Sequence, residues 1–382
     1  MQQYNYPTII YFGNDAIIAL GEKLKSEQMN KILLVTDKTL NDLGVVKDVL
    51  KMLSASEKEF IIFDKTHPNP LEEDVELGVK AFKENNCEGI IALGGGSPMD
   101  VAKVIKIAVA HEGPLAQYDD ALGGDKLIVN EMPPLYAIPT TAGTGSEVGR
   151  SGVIIMKETN KKTIFFAPEL MPDIAVLDPL VTEKLPAHIT AATGIDALTH
   201  CLEAYLAPGF HPMADGIALE GIALVLSELP KAYKDGSDLE AREKMLMAAT
   251  MGATAFQKGL GMVHSLAHPL SSQFHMHHGL ANALLLPFAL KFLEDKLSEE
   301  ALIRLNKIQE LFKARSLEGE SLSDCCRIFF ESLGIKFGLK QHGIEESAID
   351  KLTQEAFADP CHHTNIIPVL ENDLAFVYKA AL

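Results

Sequence analysis

The chain has 382 residues, 47% of them apolar and 23% charged, with a formal net charge of −18. That length exceeds one ordinary core and fits two domains at about 100–200 residues each, and the composition is that of a globular protein. The negative charge argues against nucleic acid and anionic membrane as partners, but not against a small anionic ligand, because screening within roughly 8 Å lets a local Arg or Lys dominate inside a cleft.

Residues 1–7 show neither a basic region nor an apolar stretch, so no secretory signal is expected. Runs such as 222–226 are far too short to cross a bilayer. Cys87, Cys201, Cys325, Cys326 and Cys361 form no CxxC and read as reduced thiols, which fits a cytoplasmic location.

Along the chain, short β-rich runs at 31–36, 59–63 and 89–93 alternate with amphipathic helical stretches at 44–53, 72–85 and 99–110. Such alternation predicts an α/β domain with a mainly parallel sheet covered on both faces. Strands at 135–138 and 152–156 continue it around a Gly/Thr-rich loop, and the β signal ends near Asp178-Pro179. After Pro186 the pattern is helical: 195–205, 214–232, 241–257, 262–272, 280–293, 299–312, 322–333 and 345–357. The expected organisation is an α/β dinucleotide-binding domain at 1–185 and an all-α metal and substrate domain at 186–382, with a cleft between them.

Gly94-Gly95-Gly96-Ser97 follows a strand and opens a helix, where backbone N–H groups can approach a pyrophosphate. The triplet is not GxGxxG, and alone it equally suits a tight turn. Asp37 ends the strand at 31–36, where a carboxylate can accept from an adenosine ribose and repel a 2′-phosphate, favouring NAD over NADP. A helix cap would use the same residue type. The loop at 139–147, Pro-Thr-Thr-Ala-Gly-Thr-Gly-Ser-Glu, is rich in hydroxyl and backbone donors and suits phosphates or a nicotinamide.

The second half carries a different chemistry. Asp196 and His200 lie four apart on a stretch whose apolar face is Ile195, Leu198, Leu202 and Tyr205, with Glu203 on the same stripe. His264 and His268 repeat the spacing, and His275, His277 and His278 follow in one segment. Carboxylate plus imidazoles is the ligand set of a divalent metal, although spacing does not choose among the last three histidines. No HExxH occurs, which excludes the zinc-protease arrangement.

With these residues laid out, the chain resembles the iron-containing (group III) alcohol dehydrogenases from end to end. The matching stretches are GGGSPMD at 94–100, PTTAGTGSE at 139–147, TAATGIDALTHCLEAYLAP at 190–208, KGLGMVHSLAHPL at 258–270 and HHGLANA at 277–283. The resemblance implies metal ligation by Asp196, His200, His264 and His278, with His268 beside the nicotinamide as the candidate catalytic group. It implies Asp37 and Asn69 at the adenosine side, Gly95, Gly96, Ser97 and Asp100 at the pyrophosphate and ribose, Thr140, Thr141 and Thr144 along the cofactor, and Lys162 near its phosphates.

GSEVGR at 145–150, EAYLAPGFHPMADGIALEG at 203–221, AFQKGLGMVHSL at 255–266 and CHHTN at 361–365 look more like the bacterial NAD-dependent 4-hydroxybutyrate dehydrogenases within that family. Arg150 offers a planar fork for a carboxylate, with His363 and Asn365 as further substrate candidates, although a structural salt bridge would equally explain Arg150. Many relatives have Asn-Pro-Arg where this chain has Asn365-Ile366-Ile367.

The implied activity is hydride transfer between NAD and a primary alcohol/aldehyde pair, with Fe2+ or Zn2+ as metal, in a homodimer assembled through the strand near residues 8–12. Rival readings are a general alcohol or diol dehydrogenase, a lyase like dehydroquinate synthase, a metal hydrolase and a non-catalytic binder.

Overall fold

The computed structural model describes residue 6 and residues 8–296 and 298–382. The chain divides into two compact units, one running to Thr141 and resuming at Gly145–Lys184, the other formed by Ala142–Thr144 and Leu185–Leu382.

In the first unit the elements are β1 (Ile9–Phe12), α1 (Ala16–Lys25), β2 (Lys31–Val35), α2 (Lys38–Asp42), α3 (Val45–Met52), β3 (Glu59–Phe63), α4 (Glu72–Glu84), β4 (Gly89–Gly94), α5 (Gly96–Ala110), β5 (Leu135–Pro139), β6 (Ser151–Ile155), β7 (Lys162–Phe166) and β8 (Ile174–Leu177). Six strands form a parallel sheet in the order β1-β8-β5-β4-β2-β3. Alternate residues of each strand point to opposite faces. Leu33, Val35, Ile90, Ala92, Leu135 and Ala137 enter one core, and Ile32, Leu34, Ile91, Leu93, Tyr136 and Ile138 enter another. This two-sided burial is why the central strands read as continuous apolar runs rather than as alternation.

The strand expected near 152–156 does not join this sheet. As β6 it pairs antiparallel with β7 in a separate ribbon. The cause is local: Asn160 takes φ 52, its N–H donates to the Met156 carbonyl, and the chain reverses before a crossover can form.

The second unit holds α6 (Ala187–Leu206), α7 (Pro212–Lys234), α8 (Leu239–Ala255), α9 (Met262–Phe274), α10 (His278–Lys296), α11 (Glu299–Lys313), α12 (Leu322–Ser332), α13 (Ile349–Ala358) and α14 (Glu371–Ala381). Helix α6 is buried on every side from Thr190 to Leu206, which marks it as the centre of the bundle. It begins at Ala187, ahead of the expected 195; Thr-Ala-Ala-Thr-Gly has too little apolar periodicity to announce the extra turns. Those small residues serve close packing instead. A Cβ on Gly194 would meet Leu229 Cδ1 at 2.4 Å, and one on Gly279 would meet the Ala192 carbonyl oxygen at 2.1 Å. Among the described residues no helix is long and apolar enough to cross a membrane.

Candidate active site

Strands β4 and β5 end side by side, with Gly94 in register with Pro139. The two glycine-rich loops, far apart in sequence, therefore leave the same end of the sheet, and Thr140 N–H donates to the Gly94 carbonyl at 3.0 Å. Gly94 has φ +154, and a Cβ there would meet Pro98 Cγ at 2.5 Å. Gly95 caps the 15-residue helix α5 and Gly96 opens it. Gly95, Gly96 and Ser97 thus stand at a helix N-terminus whose first N–H groups have no intrahelical partner, an arrangement suited to phosphate. The Ser97 hydroxyl donates to the Pro68 carbonyl at 2.7 Å, tying the segment that carries Asn69 to this helix start.

Asp37 caps α2, its Oδ1 accepting from Leu40 N–H at 3.0 Å, so the capping role weighed from the sequence is present. Asp100 accepts from Ser146 Oγ at 3.1 Å and Val153 N–H at 3.2 Å. Burial raises its pKa to about 6, outweighing the Lys103 ammonium and both hydrogen bonds. Lys103 is a residue the sequence did not single out. It is fully buried, donates to the Ser146 carbonyl and hydroxyl and to the Ser151 carbonyl, and is lowered to about 8 by burial. Lys162 is exposed at the start of β7, and its charge is felt at Asp100.

The loop at 139–147 is divided. Thr140 and Thr141 belong to the sheet unit, whereas Thr144 belongs with Ala142 and Gly143 to the helical unit. Gly143 lies so close to α6 that a Cβ would meet Thr193 Cβ at 2.8 Å.

On the helical side, Asp196 and His200 come from α6, His264 and His268 from α9, and His278 from the first position of α10. One oxygen, Asp196 Oδ1, faces three imidazole nitrogens: Nε2 of His278 at 3.4 Å and Nε2 of His200 and His264 at 3.9 Å each. Asp196, His200 and His264 are all buried and offer ligand atoms within 4.8 Å of one another. Rings of His200 and His264 stack at 4.7 Å, and those of His268 and His278 at 5.3 Å. His275 is the left-handed cap of α9 and is exposed.

Burial opposes charge on all these groups, and the outcome differs by neighbour. It lowers His200 to about 4 and His278 well below its ordinary value. The Asp196 carboxyl is nonetheless lowered, its burial being outweighed by the facing imidazoles and the Asn282 hydrogen bond. His264 is raised, because Glu203 and Asp196 outweigh burial there.

Glu203 was visible in the sequence only as a member of the α6 stripe. Its Oε2 lies 2.5 Å from His264 Nδ1 and its Oε1 accepts from Val263 N–H at 2.7 Å. His264 Nε2 is then left buried with no hydrogen-bond partner among the described residues. An orphaned imidazole nitrogen aimed at a buried carboxylate, with its other nitrogen held by an acid, is the chemistry of a metal ligand with its supporting group. The residues present therefore fit a divalent cation. Asn282 adds a 2.7 Å hydrogen bond to Asp196 Oδ1.

The suggested substrate residues are differently placed. Arg150 sits in the sheet unit with its guanidinium 5.2 Å from the Phe166 ring centre. Asn365 is engaged by backbone: Oδ1 accepts from Met262 N–H at 3.3 Å and Nδ2 donates to the Ile367 carbonyl at 3.0 Å. With Glu203 it caps α9, and this fixes Gly261, where a Cβ would come within 2.7 Å of Glu203 and 2.9 Å of Asn365. His363 is exposed, edge-on to His362 at 4.5 Å.

Known proteins resemble the chain along both of its halves. A family model described as iron-containing alcohol dehydrogenase matches residues 7–179, and one for the C-terminal part of the Fe-containing alcohol dehydrogenase family matches 190–382. The chain is 39% identical over 366 residues to 4-hydroxybutyrate dehydrogenase of Cupriavidus necator, covering 94% of each chain. It is 33% identical over 387 residues to the NAD-dependent methanol dehydrogenase of Bacillus methanolicus, covering 100% of each. A crystal structure of 1,3-propanediol oxidoreductase superposes with a TM-score of 0.90 at 35% identity, covering 100% of both chains. With both halves matched and relatives aligned end to end, the chain belongs to the iron-containing alcohol dehydrogenase family, and it is an oxidoreductase of that family.

Proposed function

We propose that this enzyme transfers a hydride between NAD and a short ω-hydroxy acid, 4-hydroxybutyrate being the leading candidate, with succinate semialdehyde as the oxidised partner. The observation that carries the metal-dependent chemistry is the Asp196 oxygen faced by three imidazole nitrogens, with His264 Nε2 left orphaned. Asp196, His200, His264 and His278 would hold iron(II) or zinc, which when bound supplies Lewis-acid polarisation of the substrate oxygen.

The chain's own residues do the rest. Gly95 to Ser97 receive the pyrophosphate on α5, Thr140, Thr141 and Thr144 line the cofactor, and Asp37, Asn69, Asp100 and Lys162 bind its ribose and phosphate groups. His268 works beside the nicotinamide, relaying a proton between substrate and solvent. Arg150 binds the substrate carboxylate, supported by a guanidinium fork already oriented on Phe166. Homodimer formation through β1 is supported by its place at the end of the sheet, with Ile9 60% and Phe12 44% exposed. A cytoplasmic location fits the five free cysteines.

NADH formation from 4-hydroxybutyrate, 1-butanol and 1,3-propanediol, followed by absorbance after chelation and reloading with iron(II) or zinc, tests the reading. Preference for the acid upholds it. Preference for neutral alcohols or the diol removes the carboxylate role of Arg150, and failure with all three refutes the proposed substrate class.

A further inference from the structure

Asp359 lies between α13 and the turn Pro360–Thr364, outside every motif that the sequence offered. Three donors meet its carboxylate, and they differ in kind. Ser265 Oγ donates to Oδ1 at 2.8 Å, Cys361 N–H donates to Oδ1 at 2.9 Å, and His268 Nδ1 lies 2.7 Å from Oδ2. Cys361 also brings a thiol into the group, but burial, and then the charge of Asp359, keeps that thiol protonated. These contacts make the cluster a hydrogen-bond node centred on the carboxylate.

We propose that Asp359 is a positioning residue: in the neutral form of His268 it fixes the tautomer carrying the proton on Nδ1, leaving Nε2 as a hydrogen-bond acceptor for a hydroxyl of substrate or cofactor. An ionised carboxylate can only accept, so the nitrogen facing it must carry the proton. Ser265 and Cys361 hold the acid against rotation, and stacking on His278 holds the ring. The functional part rests on His268 working beside the nicotinamide; the tautomer itself does not.

The Asp359→Asn variant inverts the arrangement without emptying it. Cys361 N–H can only donate, so the asparagine oxygen must face it, and the amide NH2 then faces His268 Nδ1. That nitrogen becomes the acceptor, and the ring proton moves to Nε2. The test is NMR of full-length, zinc-loaded protein with 15N-labelled histidine, using His268→Gln to assign the signal.

The wild type is expected to show protonated Nδ1 and bare Nε2 at residue 268, and Asp359→Asn the reverse, with zinc content unchanged. A wild-type proton on Nε2, or an unchanged tautomer in the variant, overturns the proposal. The wild-type spectrum decides even if the variant does not fold. In kinetics, Asp359→Asn is expected to lower kcat roughly 100-fold while the KM for NAD stays within about twofold, with partial recovery in Asp359→Glu. A reversed tautomer with unchanged kcat would uphold the role of Asp359 and remove the proton-relay role of His268.

Discussion

Changing Glu203 to glutamine tests whether the buried acid on α6 prepares His264 for a metal. Glu203 uses one oxygen for Val263 N–H at 2.7 Å and the other for His264 Nδ1 at 2.5 Å. In Glu203→Gln the carboxamide oxygen must stay on Val263 N–H, which can only donate, so the NH2 turns to His264. The imidazole then moves its proton to Nε2, the atom that faces Asp196. A cation has to displace that proton, and it also loses the negative charge behind the ring. Such supporting groups are worth about 10- to 100-fold in metal affinity, or about 1.4–2.7 kcal/mol.

Competition between the protein and a chromophoric zinc chelator at neutral pH measures this directly. Because the α9 cap survives in Glu203→Gln, the metal-free variant should unfold in urea close to the metal-free wild type. Glu203→Ala, which also removes the cap, should lose about 1 kcal/mol more. Zinc affinity of Glu203→Gln within about twofold of wild type would refute the reasoning.

Gly279→Ala should cost about 1–3 kcal/mol and lower metal content, because the new Cβ would stand 2.1 Å from the Ala192 carbonyl beside His278. Gly216→Ala, with nothing within 4 Å inside α7, should instead stabilise by about 0.5–1 kcal/mol, and thermal melts of the pair separate crowding from helix propensity. Asp196→Ala should abolish NADH formation while NADH fluorescence titration still shows binding. Loss of that binding would break the assignment of the cofactor to the sheet unit. Asp100 has a pKa raised to about 6 from 3.8 by burial, so between those values the folded chain holds a proton that the unfolded chain has released. Its contribution is present in full below pH about 4 and declines as pH rises through about 6, by about 3 kcal/mol at most. Asp100→Asn should remove that slope, and urea midpoints for both proteins across the range would show whether it does.

What was legible in the sequence was what repeats locally. Residues 59–63 and 89–93 declared themselves by apolar runs, the glycine turn by its position between strand and helix, and the Asp196–His200 pair by a four-residue step on α6. What stayed hidden depends on partners far along the chain. Asp359 meets His268 across 91 residues, and Glu203 meets His264 across 61. Lys103 sat unnoticed in the stretch at 99–110 because its three acceptors lie in the loop and strand more than 40 residues later. Strand β6 was legible as a strand but not in its pairing, which Asn160 decides. Asn365, a substrate candidate from the CHHTN stretch, has both ends of its amide committed to backbone.

The Asp196 quartet joins α6, α9 and α10, and the Asn282–Asp196 hydrogen bond alone spans 86 residues. A cation there would staple distant parts of the chain, and it would bind only the folded form. By mass action, free metal at 100 times its dissociation constant would add about 2.7 kcal/mol to the folding equilibrium. For a marginally stable protein that is a large share of the total. In a cell starved of the metal, the first symptom would then be a shorter lifetime: more time spent open to proteases, and a falling amount of protein rather than a constant pool of idle enzyme.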